Sequence, residues 1–167
     1  MQPVQSPAPA MIAIDIPGRG SYEFVRLVVD VNGTLAEDGE LIPGVKERLA
    51  RLQRDVEILM ITADTHGQQQ AIDRQLDLEA IRTEDGKPEA WQKSEVVRRL
   101  GSDSTVAIGN GANDVLMLKE AAIGIAVIGP EGASAAVLHS ADVVTGSILD
   151  ALDLLISPRR LVATLRQ

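Results

Sequence analysis

Asp30 closes a nearly unbroken apolar run, Val25-Arg26-Leu27-Val28-Val29, and opens the hexapeptide Asp30-Val31-Asn32-Gly33-Thr34-Leu35. A carboxylate at the end of a buried strand is costly to ionise unless a cation or hydrogen bonds stabilise it. Gly33 permits a tight turn and Thr34 can donate a hydroxyl hydrogen bond. The plain reading is a strand-end turn in which Asp30 caps local amides; the chemical one is a carboxylate held for reaction with a cation beside it. Thr62 ends a second apolar stretch, Val56–Ala63, where its hydroxyl can hold a phosphate oxygen or simply cap a helix. Lys93 can neutralise a phosphate and bind the Asp30 carboxylate, with Lys87 as its nearby competitor and a solvated side chain as the ordinary alternative. Gly109-Asn110-Gly111-Ala112-Asn113-Asp114 joins a strand to a helix, and backbone amides at a helix start favour an anion. Asp114 can hold a divalent cation, orient Lys93, or serve as an acid favoured in any first helical turn.

These residues need elements that bring them together. Met11–Ile16, the Pro17-Gly18-Arg19-Gly20 turn and Tyr22–Val31 predict a hairpin whose second run continues into a central buried strand. Strands are then expected at Val56–Ala63, Glu79–Thr83, Thr105–Ile108, Ile123–Ile128 and Asp142–Val144. The intervening helices are expected from Pro43 to about Arg54, over His66–Leu76, from Pro88 to Leu100 with Gly101 as its stop, and over Asp114–Ala122, Glu131–His139 and Ile148–Ile156. This alternation predicts an α/β, three-layer, Rossmann-like fold with a mostly parallel sheet. Ligands of such sheets lie beyond the carboxyl ends of the strands, so Asp30, Thr62 and Gly109-Asn110-Gly111 should meet in one crevice, with Lys93 reaching it from the side.

Composition removes several alternatives. The 167 residues fit a single domain over 11–167, preceded by a Pro-rich tail over 1–10 expected to be flexible. With 45% hydrophobic but only 2% aromatic residues, the core must be aliphatic, and platforms for stacking nucleic-acid bases are missing. The net charge of -8 opposes a phosphate-backbone binder. The absence of cysteine excludes disulfides and thiolate metal sites, and with only His66 and His139 an oxygen-ligand cation such as magnesium is the metal left open. No apolar run approaches the roughly 18 residues of a membrane span, and no signal peptide is recognisable, so a cytoplasmic location is expected.

The segments DVNGTL, MITAD, QKSEVVRRL and AIGNGANDVLMLKEAAIGIAV follow one another in the order and spacing of the haloacid dehalogenase (HAD) superfamily. The chain resembles most the phosphorylation domain of P-type ATPases, as a free-standing version without nucleotide-binding domain or membrane helices, and without room for a cap domain. The resemblance implies that Asp30 is a nucleophile forming an aspartyl phosphate, with Asn32, Thr62 and Lys93 as the other catalytic positions. It implies phosphate binding by Thr62, Ala63, Lys93 and Asn113, and Mg2+ held by Asp30, the Asn32 carbonyl, Asn110 and Asp114. The substrate would be a small phosphorylated molecule, with no nucleic acid or membrane partner and with a homo-oligomer covering the open site.

The chain departs from that pattern at three positions. Asn32 stands where hydrolases carry a general acid, so activated phosphate esters are the expected substrates and turnover is expected to be slow. Asn110 replaces a charged metal ligand, which leaves Asp114 to carry more of the metal binding. Ala63 replaces a glycine and narrows the phosphate site. Asn32-Gly33 and Asn110-Gly111 are also deamidation-prone pairs that would regenerate an acid. The alternative function is a catalytically weak domain that binds a phosphorylated ligand or a partner protein. His66, just past Thr62, is either a group near the leaving oxygen or an exposed helix-start residue.

Overall fold

Strand β3 (Arg26–Asp30) is the axis of the molecule, because Leu27, Val28 and Val29 are wholly buried and must be covered on both faces. The computed structural model describes residues 10–64 and 67–167; the expected tail over 1–10, but for Ala10, and the positions Thr65 and His66 lie outside them. Before β3 comes the expected hairpin, β1 (Ile12–Ile16) and β2 (Gly20–Phe24), paired antiparallel as a separate two-stranded sheet. The run read as continuous over Tyr22–Val31 therefore breaks. At Val25 the chain leaves the hairpin, and its amide donates to Ser104 O while its carbonyl accepts from Glu57 N.

A small hairpin, β4 (Ala36–Glu37) and β5 (Glu40–Leu41), follows β3 and was not predicted. Next are α1 (Val45–Leu52), β6 (Glu57–Thr62), α2 (Gln69–Leu76) and β7 (Ile81–Arg82). Helix α3 (Glu89–Leu100) ends at Gly101, as expected from its sequence. The remainder is β8 (Thr105–Gly109), α4 (Val115–Glu120), β9 (Ile123–Val127), α5 (Ala135–Ser140), β10 (Val143–Thr145), α6 (Ile148–Ile156) and α7 (Pro158–Leu165). The main sheet has six strands in the order β10-β9-β8-β3-β6-β7, and every pairing within it is parallel.

Successive side chains of a strand face opposite ways. Leu27 and Val29 thus join Leu49, Ile72, Leu152 and Leu161 on one face, packed under α1, α2, α6 and α7. Val28 joins Val97, Met117 and Val137 on the other, under α3, α4 and α5. Arg48 of α1 reaches Asp153 of α6 with Nε 2.8 Å from Oδ1, tying neighbouring helices of the first layer.

Two helical expectations are corrected. The helix read over Glu131–His139 begins only at Ala135, because Gly132 adopts φ +75 and the Ser134 hydroxyl caps the Val137 amide. Residues 129–134 form a loop instead. Helix α7 was not predicted; it starts at Pro158, and proline in a first helical turn is compatible with helix and even favoured. Leu161 and Leu165 of α7 close the first layer, and Gln167 N donates to Pro17 O of the hairpin. Leu161 is fully buried, so Leu161→Ala is expected to lower unfolding free energy by about 2–5 kcal/mol in urea titration. A loss below about 1 kcal/mol would show that α7 does not belong to the core.

Candidate active site

The register of β3 places three chain segments at one level. Asp30 pairs with Ile61 of β6, so Thr62 lies one residue beyond it. Val29 pairs with Ile108 of β8, which brings Gly109 level with Asp30 and Asn110 just past it. Lys93 arrives from α3, on the buried stripe it shares with Ser94 and Val97. Lys87, the competing lysine, precedes α3, is exposed and pairs with Glu84.

Lys93 Nζ donates to Asp30 Oδ1 and to Asp114 Oδ1, each at 2.8 Å. A third carboxylate, Glu89, lies 3.2 Å from the same nitrogen one helical turn earlier. The other Asp30 oxygen accepts from the Thr34 hydroxyl at 3.0 Å. The second oxygen of Asp114 accepts from the amides of Asn110 and Gly111, both at 3.0 Å. Lys93 and Asp114 have no solvent exposure. Gly109 is required for this approach: a Cβ there would lie 2.5 Å from the Asp114 carboxyl carbon.

Thr62 Oγ accepts from Asn32 Nδ2 at 3.2 Å and from the Asp64 amide at 3.0 Å. With both lone-pair directions occupied, its own hydrogen is directed toward an outside acceptor. The Thr34 hydroxyl also lies 3.1 Å from Asn110 Oδ1, while Asn110 Nδ2 donates to Gly132 O at 3.3 Å. Ala63 is exposed next to Thr62. Asn113 is partly exposed beside Gly111 and forms no side-chain hydrogen bond among the described residues. The structure thus unites Asp30, Asn32, Thr62, Lys93, Asn110 and Asp114, and leaves Ala63 and Asn113 outside their hydrogen-bonded network. His66 lies outside the described residues. Glu89 belongs to the cluster but escaped the sequence reading, whereas Thr34 was read as a hydroxyl donor without being counted among the site residues. Their signals were local: a hydroxyl four residues after Asp30, and an acid four residues before Lys93 on one helix.

Burial raises the Asp30 carboxyl from 3.8 to about 7, helped by the charge of Asp114 and opposed by Lys93. Burial alone would pull the Lys93 ammonium down; Asp30 and Asp114 outweigh it and hold the group above the ordinary lysine value. Asp30 Oδ2 and Asn110 Oδ1 converge on one hydroxyl, an oxygen-only arrangement that suits a hard cation. No group of three acidic, histidine or cysteine side chains among the described residues is placed to hold a metal. Asp114 has one oxygen on Lys93 Nζ and the other on the amides of Asn110 and Gly111.

The fold disfavours the deamidation route by engaging both glycine amides. That route requires the following amide nitrogen to attack the asparagine side chain. Gly33 N donates to Ala36 O at 2.8 Å and Gly111 N to Asp114 Oδ2 at 3.0 Å.

The raised Asp30 value gives a test of the cluster. Between about pH 4 and 7 the folded state keeps a proton on Asp30 that the unfolded state has lost, so raising pH through this window disfavours folding. Asp30→Asn removes that contribution. In magnesium-free buffer, the stability of Asp30→Asn relative to wild type is expected to rise across this range in urea titrations. A constant difference would mean that Asp30 is ionised throughout.

The chain is similar to known proteins along much of its length. The sequence model described as haloacid dehalogenase-like hydrolase matches residues 16–122. An uncharacterized protein of Methanocaldococcus jannaschii is 56% identical over 61 residues, which are 36% of this chain and 66% of that protein. A probable copper-exporting P-type ATPase of Archaeoglobus fulgidus is 36% identical over 104 residues, 62% of this chain but 12% of the ATPase. The crystal structure of 3-deoxy-D-manno-octulosonate 8-phosphate phosphatase from Moraxella catarrhalis, in complex with magnesium, phosphate and its KDO molecule, superimposes with a TM-score of 0.61 at 20% identity, covering 86% of this chain and 94% of that one. At that identity the likeness is one of fold. The match of the family model across most of the described chain, on the strands and loops that build this cluster, shows that the protein belongs to the haloacid dehalogenase-like hydrolases.

Proposed function

We propose that the protein is a phosphatase-like enzyme that moves the phosphoryl group of a small phosphorylated molecule first to Asp30 and then to water. The observation that carries this reading is the Lys93 ammonium, held 2.8 Å from both Asp30 and Asp114 at the carboxyl end of a parallel sheet. Phosphoryl transfer depends mainly on positioning and on charge neutralisation, and the cluster supplies both. Lys93 and Thr34 fix the two oxygens of Asp30, so the carboxylate presents a defined lone pair to phosphorus. Thr62, already an acceptor twice over, offers its hydrogen to a phosphoryl oxygen. Asp114 keeps Lys93 in place and anchors the loop amides. Asp30, the Asn32 carbonyl and Asn110 would hold magnesium, which when bound neutralises charge on the phosphoryl oxygens.

Asn32 uses its amide on Thr62 and has no proton to exchange. Esters that leave as stable anions, such as acyl and aryl phosphates, are therefore the favoured substrates. No inserted domain follows β3 or β6 among the described residues, so a substrate is gripped at the rim or by a second copy. Incubation with magnesium and an aryl or acyl phosphate is expected to give turnover, or a phosphoprotein by intact mass, that Asp30→Asn abolishes. Lys93→Met should lower either signal by at least about 100-fold, the scale of losing one charge-stabilising donor. If wild type and Asp30→Asn are equally inert while inorganic phosphate still raises the melting temperature, the two asparagines mark a phosphate-binding domain instead.

A further inference from the structure

The acidic and basic groups gathered around Asp30 are all engaged, including part-exposed Glu89, which pairs with Lys93 Nζ at 3.2 Å. Lys93 is fully buried and held cationic, Asp114 is fully buried with both oxygens bonded, and Asn32 is a carboxamide. Asp64 receives the Gln69 amide at 3.3 Å and faces Arg82. An alkyl phosphate needs a proton on its leaving oxygen, because an alkoxide is a poor leaving group.

The loop over residues 129–134, which replaces the expected helix start, brings one more acid to this place. Gly33 has φ +77, and a Cβ on it would collide with Oε2 of Glu131 and come within 2.8 Å of Asn110 Nδ2. The Glu131 carboxylate thus rests on the turn that carries Asp30, on the side of Gly33 that also faces Asn110 Nδ2. Gly129 packs against the same turn, where an added Cβ would lie 3.0 Å from Gly33 O, and Gly132 O is held by Asn110 Nδ2. Glu131 itself is exposed and makes no hydrogen bond or ion pair among the described residues. It is anchored by its loop, unengaged at its tip and open to a substrate.

We infer that Glu131 is the acid–base residue of this site and that it extends the substrate range to alkyl phosphates. The inference rests on Asp30 being the nucleophile. In the first step an Asp30 oxygen bonds to phosphorus, the bond from phosphorus to the ester oxygen breaks, and the Glu131 carboxylic acid protonates that oxygen to release the alcohol. In the second, the Glu131 carboxylate takes a proton from water. The water oxygen bonds to phosphorus, the bond to Asp30 breaks, and inorganic phosphate leaves with Asp30 and protonated Glu131 restored.

The test compares a p-nitrophenyl ester with a simple alkyl phosphate in magnesium buffer. Glu131→Gln is expected to reduce kcat/KM for the alkyl ester by at least about 30-fold and for the aryl ester by less than about 3-fold, since only the alkoxide needs the proton. Adding Asn32→Asp to Glu131→Gln should restore alkyl turnover, because it returns an acid to the same turn. Equal losses on both esters, no loss on either, or an alkyl-selective loss in His66→Gln rather than Glu131→Gln would overturn the assignment while leaving the Asp30 reading in place. If wild type turns over neither ester and forms no phosphoprotein, the Asp30 reading falls and Glu131 falls with it.

Discussion

One ammonium group shared by two carboxylates sets the conditions for the rest of this structure. Lys93 has no solvent exposure, and neither does Asp114. Removing one member from a buried set of charges typically costs about 3–5 kcal/mol, because its partners are left uncompensated. The sheet must therefore deliver Asp30, the β8 loop must deliver Asp114, and α3 must present Lys93 on its buried stripe, all to one point. Gly109 has to lack a side chain for Asp114 to close against β8. The interaction is expensive to assemble and worth having only where charge must be handled away from water.

Much of this was legible in the chain before any coordinates. A carboxylate after Leu27-Val28-Val29 has few places to go, and parallel strands put their ends together, so Asp30, Thr62 and the Gly109–Asp114 segment were predictable neighbours. The choice of Lys93 over Lys87 was also readable in principle. Lys93 shares a helical stripe with Val97, whereas Lys87 lies before the helix begins. What failed was local chain direction. Val25 breaks an apolar run because the hairpin and the main sheet are different sheets, and nothing in side-chain periodicity marks that change. The β4–β5 hairpin is too short to show alternation. The loop over 129–134 was hidden by the helix-forming alanines that follow it, and with it the position of Glu131.

The two asparagines look different in the fold than in the sequence. As letters, they are missing charges. In place, Asn32 holds Thr62 and Asn110 links the Thr34 hydroxyl to the Gly132 carbonyl. An aspartate at 110 could not donate to Gly132 O, and the contact that seats the 129–134 loop would become a repulsion between oxygens. The carboxamide thus couples the cluster to its neighbouring loop, a coupling that charge alone could not make.

The outermost strands of the main sheet are short, three residues in β10 and two in β7. A sheet edge recruits another chain through a row of unpaired amides and carbonyls, and rows this brief give almost no template. Copies of this molecule that meet in a crowded solution are therefore poorly equipped to stitch their sheets end to end. Side-chain surfaces such as that carrying exposed Ile81 and Trp91 offer contacts where recognition depends on shape and can be reversed. The brevity of these two strands thus blunts the edges of the main sheet against strand-to-strand pairing.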